Sequence, residues 1–210
     1  MMARGTTAGS MSSPIWALLF LLLVAPFLAG CGYNTIPTNE ERAKAAWSEV
    51  LNQYQRRADL IPNLVETVKA FAAQEREVLT AVVEARAQAT SVQISPEMLS
   101  NPEALQAFQE GQANLTGALS RLLAVVEAYP ELKSSQNFLA LQAQLEGTEN
   151  RIAVARRDYI EAVRVYNTSL RTFPSVIWAN LWFTGNEPFA TFTIDEDKME
   201  VPKVDFNSNG

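Results

Sequence analysis

Between Phe138 and Tyr166 the chain returns to an apolar or small residue every three or four positions: Phe138, Leu141, Leu145, Thr148, Ile152, Ala155, Tyr159, Ala162 and Tyr166. Steps of three and four average close to the 3.6-residue turn of an α-helix, so the run draws one stripe along one helix face. A stripe held over four heptads has to be covered by another apolar surface. Pro130 and Phe173-Pro174 bound it, and the spacing predicts a helix over 131–171, about 60 Å long at 1.5 Å per residue.

The same spacing recurs upstream. Ala43, Trp47, Val50 and Tyr54 share one face, with Thr38 or Asn39 as a cap and Glu40 and Glu41 in the first turn, where acidic groups face the positive end of the helix dipole. Ile61, Val65, Val68, Ala72, Glu75, Leu79, Val82, Arg86 and Ala89 keep a strict 4-3 alternation. Between these two runs stand Asp59 and Pro62. Proline is costly inside a helix and tolerated in its first turn, so RRADLIPNLV reads as the end of one helix and the start of the next, capped by Asp59. A continuous, kinked helix is the alternative. TSVQISPEMLSNPE, with prolines at 96 and 102, is a connector. Leu105, Phe108, Leu115, Leu119, Leu122, Val125 and Val126 mark a third helix that ends before Tyr129-Pro130. Four amphipathic helices with short joins predict an all-α fold, an antiparallel four-helix bundle over 39–172.

The C-terminal segment, 173–210, differs in kind. Phe173, Trp178, Trp182, Phe183, Phe189 and Phe192 concentrate aromatic surface, and IDEDKMEVPKVDFNSNG after them is polar and proline-broken, hence extended or disordered. The aromatic block reads either as a cap over the end of the bundle or as an exposed surface for a partner or the bilayer interface, with Trp178, Trp182, Phe183 and Phe189 as its contact residues.

At the other end, PIWALLFLLLVAPFLAG (14–30) runs 17 residues without a charge, preceded by a polar segment holding Arg4. A charged start, an apolar centre and a small-residue exit are the parts of a secretory signal, and a permanent membrane helix needs about 20 apolar residues. The exit, Leu28-Ala29-Gly30-Cys31, resembles a bacterial lipobox. That resemblance implies cleavage after a signal peptide of residues 1–30, diacylglyceryl transfer to the Cys31 thiol and acylation of the new amino terminus. Residues 31–38 would then be a lipidated tether, since several acyl chains anchor firmly where one binds only marginally. Gly32 follows the cysteine, so no inner-membrane retention signal is evident and the outer membrane is favoured where there are two.

Composition removes several functions. There is no histidine, and therefore no imidazole base, imidazole metal ligand or Ser-His pairing; the single cysteine rules out internal disulfides and cysteine-rich zinc sites. Residues 31–210 carry 16 basic and 23 acidic side chains, a net −7 with no basic cluster, which excludes nucleic acid as an expected partner. No phosphate loop or nucleophile elbow is present, so no cofactor and no catalytic residue is expected. The conspicuous charges lie at or beside the apolar stripes. Glu75 and Arg86 occupy stripe positions, Glu149 and Arg156 flank the last stripe, and Arg56, Arg57 and Asp59 cluster at the presumed junction. A charge facing a helical core must be paired and hydrogen-bonded, so these seven read as interhelical ion pairs setting register, or else as surface charges. A carboxylate metal site lacks the Glu-x-x-His pairs it would use.

YNTI, WSEVLNQYQRRADLIPNLVETVKAFAAQEREVL, VVEARA, EAYPELKSSQNFLALQAQLEGTENRIAVARRDYIEAV, VYN, TFP and PKVDF together resemble the LemA family of bacterial envelope proteins, across essentially all of 33–206. The resemblance implies a four-helix bundle tethered by an amino-terminal hydrophobic segment, and implies no reaction. In one place the chain departs from the pattern: Tyr159-Ile160 stands where members often have Tyr-Asn, which puts in doubt a role for an amide there. The expected function is a lipid-anchored scaffold or adaptor of the bacterial envelope, facing periplasm or exterior. Its partners would be the bilayer through acylated Cys31, other envelope proteins and, as an option, further copies of itself. A membrane-shaping role is the alternative, disfavoured by the acidic surface; regulation of an envelope protease is a third.

Overall fold

The structure, a computed structural model, describes residues 32–92 and 94–192. The leader, Cys31 and the closing PKVDF lie outside the described residues. Among these residues all regular structure is helical: α1 Thr35–Lys69, α2 Arg76–Ser91, a 3-10 turn Pro96–Met98, α3 Pro102–Val126, α4 Pro130–Lys133, α5 Gln136–Ser169 and α6 Ser175–Leu181. None of these helices is long and apolar enough to cross a membrane.

α1 begins a turn earlier than the caps at Thr38 or Asn39 suggest. Asn34 precedes its first residue, and Pro37 sits in the first turn, where no intrahelical N–H bond is forfeited. Asn39 is buried inside the helix instead of capping it.

The larger correction concerns Asp59 and Pro62. α1 runs through both without a break. A proline at 62 leaves the carbonyl of Ala58 without its helical donor. Arg86 of α2 supplies one: its Nε donates to the Ala58 oxygen at 2.8 Å. Pro62 itself faces outward, and Asp59 caps nothing; it accepts a bond from Gln55 Nε2 one turn back.

The actual reversal between α1 and α2 occupies 70–75, a segment with neither proline nor glycine. It is held by Phe71 N to Val68 O, Ala72 N to Val68 O and Glu75 N to Ala72 O. Ala72 is fully buried at the bend, so Val68, Ala72 and Leu79 keep helical spacing along the chain although the direction of the chain reverses among them. The expected final helix also divides. Pro130 starts the single turn α4, and α5 begins after Ser135, whose backbone is extended. α3 matches its expected limits, with the Asn101 side chain accepting from the N–H groups of Glu103 and Ala104.

α1 and α5, each about 50 Å long at 1.5 Å per residue, lie side by side and antiparallel: Trp47 meets Tyr159, and ten residues further along α1, Arg57 meets Glu149. α2 and α3 run against each other likewise, with Glu75 near Tyr129 and Ala89 near Gln112. The apolar interior has two parts. One is built from Ile61, Leu64, Val68, Ala72, Val82, Leu115, Leu122 and Phe138 with their neighbours. The other gathers Ile36, Trp47, Val50, Leu105, Phe108, Ile152, Tyr159 and Tyr166. Trp47, wholly buried, centres the second part, packed on Phe108, Tyr159 and Phe192 with its indole N–H on the Ile94 carbonyl at 3.1 Å.

Candidate functional site

Where the two apolar parts meet, three helices each place a polar residue inside. Arg57 of α1, Gln112 of α3 and Thr148 of α5 are 1%, 7% and 1% exposed, so their polar atoms must find partners within the protein. Arg57 Nη1 donates to Glu149 Oε1 at 2.6 Å and to Thr116 Oγ1 at 3.1 Å; Nη2 donates to Gln112 Oε1 at 2.6 Å and to its carbonyl at 3.4 Å. Gln112 Nε2 passes the chain on to the Ala89 carbonyl of α2 at 3.1 Å. Four helices are therefore tied through one guanidinium. The Tyr54 ring lies 5.1 Å from its central carbon, and Arg57 Nε has no partner among the described residues. Burial pushes the Tyr54 phenol above its ordinary pKa, while the guanidinium groups of Arg156 and Arg57 pull it back. The carboxylate side chain of Glu149 is 47% exposed, so one end of the ion pair stays hydrated and the penalty of burying it falls mainly on Arg57. A groove of about 530 Å³ beside this layer is lined by Tyr54, Ala58, Ala89, Ile94, Phe108 and Gln112 among others.

The remaining candidate charges are not drawn together. Glu75, which precedes α2, and Arg86, within it, share one stripe in sequence but serve different partners. Glu75 accepts from Tyr129 Oη at 2.7 Å, which raises the Tyr129 pKa, and Arg86 serves Ala58. Glu149 pairs with Arg57 and not with Arg156, whose guanidinium lies over the Phe192 ring at 4.4 Å. Arg56 is exposed on α1, beside Arg57 in sequence but outside the layer.

The aromatic segment has two roles in the fold. After a turn at 184–185, residues 186–192 form a strap without regular secondary structure, laid back along α5. Asn167 holds it from both sides, donating from Nδ2 to the Phe189 carbonyl and accepting from the Phe189 N–H at Oδ1, both at 2.9 Å. Tyr159 Oη donates to the Ala190 carbonyl at 2.9 Å, Ala190 N to Leu99 O at 2.8 Å, and Tyr166 Oη to Glu187 O at 3.2 Å. Burial pushes the phenols of both Tyr159 and Tyr166 up. Asn167 belongs to the VYN motif, one heptad after Ile160.

The short helix α6 and its flanks occupy the end of the molecule at which the described chain begins. Ser175 Oγ donates to the Ser169 carbonyl at 2.7 Å, which fixes α6 to the end of α5. Gly32, at φ +110°, lies against Pro174 and Ser175, close enough that a Cβ there would stand 3.2 Å from the Pro174 ring. Only glycine adopts that backbone angle without strain. Trp178 and Phe183 turn inward onto the Tyr33 ring, each with centroids 5.4 Å away. Trp182 and Phe173 do not: they are 65% and 79% exposed.

A model of the LemA family matches residues 46–206. Among curated proteins, Magnetosome protein MamQ 1 and Magnetosome protein MamQ 2 of Paramagnetospirillum magneticum are each 30% identical to the chain, over 91% of it and 76% of their own length. Magnetosome protein MamQ of Magnetospirillum gryphiswaldense is 26% identical, over 68% of the chain and 58% of its own.

Proposed function

The chain belongs to the LemA family, and from that premise we propose that it is a membrane-anchored, non-catalytic scaffold of the bacterial envelope. In this reading it is a four-helix bundle tethered through acylated Cys31 that recognises other proteins. The observation that carries the proposal is the seating of Gly32 against Pro174 and Ser175. Cys31 immediately precedes Gly32, so a tether there leaves from one end of a body about 50 Å long and holds the opposite end, the 70–75 bend with α4, away from the membrane. The side chains best equipped for chemistry are engaged in tying helices together, Arg57 to α3 and α5 and Arg86 to α1. The names of the relatives denote no reaction, in keeping with binding.

Replacing Cys31 with Ala tests the tether. The variant is expected to leave the membrane fraction or to persist as an uncut precursor, and intact mass should show acyl chains on the parent protein alone. An unchanged mass with membrane retention overturns the tether. Crosslinking in intact cells should recover a stable set of envelope proteins. Turnover of a substrate that a single acidic substitution abolishes without unfolding the chain overturns the scaffold.

A further inference from the structure

One surface of the molecule is apolar where nothing in the fold requires it. Ile177 and Leu181, four apart on α6, share one face of it and are 45% and 64% exposed; Phe173, two residues before the helix, and Trp182, just after it, are 79% and 65% exposed. The inner face of the same segment is already satisfied by Tyr33. Residues 172–186 contain no charged side chain, in a chain that is 19% charged, and Arg171 stands exposed at their edge. The chain from 5 to 39 is also uncharged, and its apolar run, 14–30, ends two residues before Gly32, which rests against the start of α6. The described start of the first stretch, Gly32 and Tyr33, thus meets the second at one end.

We propose that the exposed apolar surface at α6, made of Ile177 and Leu181 on the helix with Phe173 and Trp182 flanking it, is a lipid-contact surface that seats in the headgroup region of the bilayer to which the N-terminal end is attached. The inference shares with the proposed function the premise that a bilayer lies at this end, and needs no acyl group on Cys31. The occupant is a bilayer because Gly32, the described residue nearest the chain's membrane attachment, whether that is an uncut 14–30 run or an acylated Cys31, rests at this spot. The side-chain set fits as well. Tryptophan is favoured at the membrane–water boundary, where its ring is buried and its N–H stays hydrated, and aliphatic neighbours on one helical face add area below it. The face has no basic fringe beyond Arg171, so contact is expected on zwitterionic lipid without anionic headgroups. Two attachments, an N-terminal segment and an apolar face, fix the orientation of the body as one attachment cannot.

The test uses the full chain reconstituted in phosphatidylcholine vesicles whose acyl chains carry bromine near the headgroup. Tryptophan emission is compared between the parent and Trp182→Phe; their difference isolates Trp182, since Trp16, Trp47 and Trp178 are common to both. Bromolipid is expected to quench most of the Trp182 contribution. In F173S/I177S/L181S that quenching should largely disappear while the protein stays in the vesicles and keeps its helical circular dichroism. If the triple variant does not fold, the Trp182→Phe comparison stands by itself. Equal Trp182 emission in brominated and plain vesicles overturns the proposal. So does a photocrosslinker at position 181 that captures a second copy of this chain, or another protein, in place of lipid. The Cys31 experiment is read in retention and mass, and its failure, both unchanged, leaves the Trp182 reading intact, so the two outcomes are separable.

Discussion

Arg57 and Glu149 are 92 positions apart in the chain, and Nη1 of the first donates to Oε1 of the second at 2.6 Å across the α1–α5 interface. The same guanidinium reaches Gln112 and Thr116 of α3. Arg57→Ala should leave the buried Gln112 oxygen without its donor and open a void, at a cost of about 3 kcal/mol. Arg57→Lys keeps the charge but cannot fork to three partners, and should fall between the two. Urea midpoints at constant m-value measure both.

Arg86 and Pro62 should be energetically coupled through a residue neither alters, Ala58. Arg86→Ala strands the Ala58 carbonyl and is expected to cost about 1–3 kcal/mol. In a Pro62→Ala background the N–H of residue 62 restores the helical bond, and the same truncation should cost about 1 kcal/mol less. A double-mutant cycle by urea unfolding reads the difference; additive effects would refute the pairing.

Asn167→Ala removes both bonds that hold Phe189. Limited proteolysis with mass readout should show cuts within 184–192 at protease levels that leave the parent intact, while the helical circular dichroism persists.

Alkali should destabilise the fold through its buried phenols. The pKa values of Tyr54, Tyr159 and Tyr166 are all raised, in each case chiefly by burial. The unfolded chain ionises its tyrosines near pH 10 and the folded one only above that, so the folded state binds more protons there and stability falls as pH rises past about 10. Below that pH the contribution is complete. Tyr159→Phe should lower stability near neutral pH by losing the bond to Ala190, and flatten the alkaline decline. Melts between pH 8 and 11 check both.

How far the fold could be read from the chain depends on what each signal measures. Of the 138–166 stripe, Phe138, Leu145, Thr148, Ile152, Ala155, Tyr159 and Tyr166 are buried, because periodicity reports burial directly. The 70–75 bend escaped because the stripe spacing runs through it and no proline or glycine marks it. Pro62 misled for the converse reason: the vacancy it creates is filled by Arg86, 24 positions downstream, and no local rule sees that. The Arg57 layer had a signal. Arg57 falls on its stripe between Tyr54 and Ile61, Gln112 between Phe108 and Leu115, and Thr148 between Leu145 and Ile152. Polar residues at stripe positions of three helices mark one layer, but only the packed structure gives the heights at which those stripes align. Whether α6 faces water is likewise a matter of tertiary packing.

The division of the interior at Arg57 has a mechanical consequence. Each half has its own apolar contents, and the layer between them is hydrogen-bonded through Arg57. The molecule is therefore expected to behave as two stacked units that meet at this layer. Under load, or when gripped by another protein, one unit can open while the other persists. Amide exchange should resolve two plateaus of protection, Ile61–Val68 and Trp47–Tyr54 belonging to different ones, and the gap between them should widen when the guanidinium at the joint is removed.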